Sequence, residues 1–144
     1  MTERTSDRGS AVIEFVVIGV AVLVPMVYIV QCVLVMHSAV LASTQATREA
    51  ARAFSTSLTP HDGRQRAIAA ARLAFQDQGL ELPIGALRVG CVDGPCLAPG
   101  SAVVADVDWR VPLPWLPDSW AGDASVPVTS TQRVPIDDFR SDQD

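Results

Sequence analysis

The chain contains no lysine: all 11 basic residues are arginine, set against 16 acidic ones, for a formal charge of −5. A nucleic-acid-binding domain needs a basic face, so nucleic acid is not an expected partner. Aromatic residues make up only 6%, so the 49% of apolar residues is built mainly from Val, Ala and Leu. A chain disordered throughout would be poor in such aliphatics, and that class is removed as well. Cysteine and histidine are scarce, and His37 and His61 stand far from other metal-binding groups in the sequence. There is no C-x-x-C pair, Gly-rich phosphate loop, nucleophile elbow or His-Glu-x-x-His helix. Asp106 and Asp108, followed by Arg110, read as the solvated face of a strand rather than as acid/base carboxylates. No enzyme activity, cofactor or metal is therefore expected. With 144 residues there is room for one modest domain.

What the chain does have is concentrated. Residues 15–36 hold 22 positions without a charge and with a single amide, Gln31. As a helix rising about 1.5 Å per residue this run is roughly 33 Å long, enough to cross a hydrocarbon core of about 30 Å. It exceeds a secretory h-region of about 7–15 residues and ends at no clear small-x-small cleavage site. A membrane span is the reading; the bland alternative is a buried core helix. Past Met36 the helical pattern continues over residues 38–58, now rich in Ala, Ser and Thr. Ala39, Ala42, Ala46, Ala50 and Phe54 recur every three or four positions and draw a stripe of mostly small residues along one side. One continuous helix of about 45 residues accounts for both halves, with Pro25 expected to kink it unless neighbours compensate.

Thr59-Pro60 reads as a fresh helix start, with Thr59 as N-cap, Pro60 at the first helical position and Asp62 in the first turn. The following segment to Gln78 places Ala67, Ile68, Ala71, Ala74 and Phe75 on one face, and Gly79 is a natural stop. Beyond residue 80, which is where eight of the ten prolines fall, helical periodicity disappears. Residues 86–92, 102–111 and 126–134 read as strands, the second with Val103, Ala105, Val107, Trp109 and Val111 on one face. The expected fold is α+β: a long N-terminal transmembrane helix extending into a small domain with a second amphipathic helix and a short antiparallel sheet. Cys91 and Cys96 flank a Val-Asp-Gly-Pro turn; outside the cytoplasm the spacing permits a disulfide, and free thiols are the alternative. Cys32 reads as an inert small apolar residue of the span. In the stretch PLPWLPDSW, Trp115, Leu116 and Trp120 are open to two readings: contact with a membrane interface or partner subunit, or rings that cap a thin core.

The most informative stretch is Arg8-Gly9-Ser10-Ala11-Val12-Ile13-Glu14-Phe15. A carboxylate deep in the bilayer costs about 2.5–3.5 kcal/mol on insertion scales, and nothing in a plain anchor requires Glu14, which would then merely lie among the headgroups. A cut after Gly9 would make Ser10 the new N-terminus and Glu14 the fifth residue, on the same helical face. The new ammonium and the carboxylate would offset one another in low dielectric. Completed between neighbouring chains, that pairing would fix the axial register of stacked helices.

This stretch resembles the class III signal peptide of type IV prepilin-like proteins: a short polar leader, Gly, four small or apolar residues, then Glu and an aromatic. More closely, residues 8–55 resemble the TadE-like proteins, minor pilins or pseudopilins of the Tad (Flp) pilus. The match rests on Arg8, Gly9, the Ala-Val-Ile-Glu-Phe run, Pro25 and Ala-Thr-Arg-Glu-Ala-Ala-Arg at 46–52. It implies a cytoplasmic leader over 1–9, cut by a prepilin peptidase between Gly9 and Ser10, and a role in assembly register for Ser10, Glu14 and Phe15. It further implies a span at 10–37, an extracytoplasmic domain at 38–136 and an acidic tail at 137–144. The protein would be single-pass in the cell membrane, with incorporation into an extracellular pilus left open. Its partners would be the major pilin, other minor pilins, the peptidase, the inner-membrane assembly platform and the lipid bilayer. The leader departs from the pattern in carrying Glu3 and Asp7 beside Arg4 and Arg8, so the orientation follows from the resemblance and not from charge bias. Two other readings stay open: a membrane-anchored binding module unrelated to pili, and a type II secretion pseudopilin.

Overall fold

The computed structural model describes residues 7–114 and 125–137, with side chains from residue 11 onward. Helix α1 spans Asp7–Ser55, 49 residues, and runs through Pro25 without a break in its assignment. By packing the chain divides between Val35 and Met36 into two units.

The first unit is the apolar half of α1. Ile18 is 56%, Leu23 60% and Ile29 61% exposed. It is long and apolar enough to cross a membrane. Among the described residues no packing partner covers this aliphatic surface, where burying each such side chain is worth about 1.5–3 kcal/mol.

The second unit begins with the rest of α1. The small-residue stripe is the buried one: Ala39, Ala42, Ala46, Ala50 and Phe54 are all fully buried. Helix α2, Pro60–Gln76, starts where Thr59 accepts a hydrogen bond from the Asp62 amide at 3.2 Å, filling one of the helix's orphan donors. It ends in a Schellman turn: Leu80 N–H donates to the Phe75 carbonyl and Gly79 N–H to that of Gln76, both at 2.9 Å, with Gly79 at φ +69°. Ala67, Ala71, Ala74 and Phe75 form its buried face, but Ile68 is 41% exposed. Ile68 sits about 100° around the helix from Ala67, at the rim and not in the core. Gly63, one turn before Ala67, lies against the ring of Phe54: a Cβ there would be 2.9 Å from Cδ2. The two helices can come this close only because that side chain is absent.

Three antiparallel strands complete the unit in the order β1-β2-β3: β1 Leu87–Val92, β2 Ala102–Pro112 and β3 Ser125–Pro135. Leu87 pairs with Val107 and Val92 with Ala102 on one side of β2; Ala102 pairs with Pro135 and Pro112 with Ser125 on the other. Alternation decides the faces. Val103, Ala105, Val107 and Val111 point into the core. Asp108, Arg110, Thr129 and Thr131 are exposed. The core therefore joins α1, α2 and the inner face of the sheet, with Phe54 and Phe75 as its largest fully buried side chains.

Candidate functional site

The expected site residues Gly9, Ser10, Glu14 and Phe15 all lie on α1. The helical backbone covers Gly9 and Ser10, whose side chains fall outside the described residues; Glu14 and Phe15 are exposed. Ser10 and Glu14 are four positions apart on unbroken helix, which puts them one turn apart on one face. Among the described residues no ion pair or hydrogen bond involves Glu14. A carboxylate thus stands at the head of an exposed apolar helix without a partner among the described residues. Chemically, such a carboxylate can accept hydrogen bonds or pair with a cation. Leader residues 1–6, the tail residues 138–144 and the stretch containing Trp115, Leu116 and Trp120 fall outside the described residues.

Cys91 and Cys96 form a disulfide, with Cα atoms 5.3 Å apart. The loop it closes turns through Asp93 and Gly94 at positive φ, 64° and 146°. The Asp93 carboxylate accepts from the Arg133 guanidinium on β3, tying the loop to the far strand. Just after the bridge, Leu97 holds φ at 68°, a backbone conformation costing about 1–2 kcal/mol for a non-glycine residue. Burial of its side chain in the core offsets that cost. Cys32 is a free thiol.

A polar seam that the residue pattern did not single out joins α1 to the sheet. Ser43 and Thr47 are buried, and their hydroxyls donate to the carbonyls of Ala39 and Ser43 at 2.8 and 3.1 Å. Ser43 Oγ also accepts from the Trp109 indole N–H at 2.9 Å, and the Thr47 hydroxyl lies 3.1 Å from that of Ser130. The Trp109 ring stands edge-on to Phe75, with centroids 5.3 Å apart. The available signal was the interleaving of Ser and Thr with the alanines: a helical hydroxyl can be buried because it bonds the carbonyl one turn back.

His61 pairs with the Gln65 amide at 3.1 Å, and Asp106 accepts from the Thr131 hydroxyl at 2.6 Å. Arg88 and Asp108 form an exposed ion pair at 3.8 Å. Among the described residues no group of three metal-binding side chains comes together.

No family model, curated protein or solved structure matches the chain. The class that the fold defines is a chain with one N-terminal helix able to span a membrane, continuous with a small α+β domain.

Proposed function

We propose that this protein is a structural or assembly component of a Tad-type pilus, a minor pilin or pseudopilin cut by prepilin peptidase between Gly9 and Ser10. The observation that carries the reading is Glu14: a carboxylate without a partner among the described residues, one helical turn from Ser10, at the head of an uncovered apolar helix. A plain anchor has no use for it. In the proposed mechanism the Ser10 ammonium of one chain meets the Glu14 carboxylate of a neighbour, and the apolar helix surfaces close over the pair. Water is excluded, so the contact is strong when in register and costly when not. Phe15 sits beside the pair on the uncovered surface. The partners are the major pilin, sister minor pilins, the inner-membrane platform and the bilayer. The Cys91–Cys96 bridge supports placing the domain outside the cytoplasm, where disulfides persist.

The test is the N-terminus of membrane-extracted protein from a strain with the peptidase. A chain starting at Ser10 is expected, and Gly9→Leu should leave the precursor uncut on intact mass. Normal processing of that variant, or an intact leader in the wild type, refutes the peptidase step.

A further inference from the structure

Within the second unit, α1 and α2 leave a groove of about 390 Å³ between them. Its floor is Ala70, Leu73 and Ala74 of α2; Gln45 and Glu49 of α1 and Asp77 complete the lining. Leu73 is 60% exposed. No basic residue lines the groove, and among the described residues neither carboxylate has an ion-pair partner. Asp77 caps the C-terminus of α2, where the helix dipole is already negative and the last turn holds no basic residue. The groove is therefore complementary to an apolar group with a cation on either side. The chain carries that pattern on another face of α2. Arg64, Ile68 and Arg72 follow at four-residue steps along an exposed ridge, and among the described residues neither arginine has an ion-pair partner.

The spacings agree as well. Phe54 stands against Gly63, and Gln45 shares the groove with Ala74, so the two helices run in opposite senses. Glu49, five residues before Phe54, is then level with Ile68, five after Gly63. At about 1.5 Å per residue, Glu49 lies about 6 Å beyond Arg64, Leu73 about 7.5 Å beyond Ile68 and Asp77 about 7.5 Å beyond Arg72. A single displacement of about 7 Å along the helices thus brings the ridge of one copy onto the groove of another, with Arg64 at Glu49, Ile68 at Leu73 and Arg72 at Asp77. A reversed copy would exchange the two arginines between the carboxylates. Chains anchored in one bilayer share one sense, which selects the first pairing.

We propose that the Arg64–Ile68–Arg72 ridge of one copy docks in the α1–α2 groove of a second copy, displaced by about 7 Å along the helices. Ridge and groove are different surfaces, so the contact is heterologous and leaves each pair a free ridge and a free groove for further copies. The common sense of the copies rests on the assembly reading, in which all are held by α1 in one membrane.

The test is disulfide cross-linking of the full chain in membranes of a strain with the peptidase. Ile68→Cys and Leu73→Cys are made separately in a Cys32→Ala background; Cys91 and Cys96 are already bonded to each other. A cross-linked dimer is expected when the two variants are co-expressed and not from either alone. Arg72→Glu in the Ile68→Cys copy should abolish that dimer, and Asp77→Arg in the Leu73→Cys copy should restore it. No dimer on co-expression, equal dimer from either variant alone, or a dimer indifferent to Arg72→Glu overturns the proposal. Rescue by Glu49→Arg in place of Asp77→Arg overturns the common sense of the copies, and Leu73→Cys joined only to a different chain overturns the second copy as occupant. An uncut leader in protein that still gives the expected dimer refutes the peptidase step and leaves this interface standing.

Discussion

Replacing Gly63 with alanine should destabilise the domain, although alanine is the better helix former. The added Cβ would lie 2.9, 3.1 and 3.2 Å from Cδ2, Cγ and Cε2 of Phe54. Comfortable carbon–carbon contact is about 3.5–4.0 Å, so the ring or the helix must give by about 0.5–1 Å. Phe54 is fully buried among core side chains and has nowhere to go. Overpacking of this kind costs about 1–3 kcal/mol, against a helix-propensity gain of at most about 1 kcal/mol. At the middle of the overpacking range the net loss is about 1 kcal/mol, which in a domain of this size lowers Tm by roughly 4–8 °C. Thermal unfolding of the full chain in detergent micelles, followed by near-ultraviolet circular dichroism, reads the domain's side-chain packing. A double-mutant cycle with Phe54→Ala, which removes Cγ, Cδ2 and Cε2 together, separates the clash from any other effect. In that background Gly63→Ala should be neutral or stabilising. An unchanged or higher Tm for Gly63→Ala alone, or the same loss in both backgrounds, refutes the close-approach argument.

Ser43→Ala leaves the Trp109 indole without its acceptor and should cost about 1 kcal/mol, seen as a lower urea midpoint; an unchanged midpoint would mean that the bond contributes nothing. Converting both Cys91 and Cys96 to alanine opens a loop with a sequence separation of five. The chain-entropy relation puts that loss at about 2 kcal/mol. Adding reductant should lower the wild-type midpoint to that of the double variant and leave the variant unmoved.

The alanine stripe of α1 and the alternation of β2 were legible because each repeats one residue type at the period of its element. Strand ends came within one residue for the same reason, although the ladder runs on through Gly90 of β1 and Pro127 of β3. Ile68 was misplaced because an apolar side chain next to Ala67 satisfies a helical pattern whether it lies in the core or at its rim. Gly63 and the Ser43–Trp109 bond were not legible, because each depends on which residue stands opposite, across 9 positions in one case and 66 in the other. At the candidate site, Glu14 stood out as the one charge in an apolar run. No partner for it occurs among the described residues.

The unbroken passage of α1 through Val35 and Met36 has a mechanical consequence. A domain on a flexible tether feels load only after the tether has been drawn out. Here, tension on the apolar half passes along helical hydrogen bonds directly into Ala39, Ser43 and Thr47, which are held by the sheet. Ser43 is tied to Trp109 on β2 and Thr47 to Ser130 on β3, so both bonds of the seam share that load. The helix could be drawn out only by unfolding the domain that grips it.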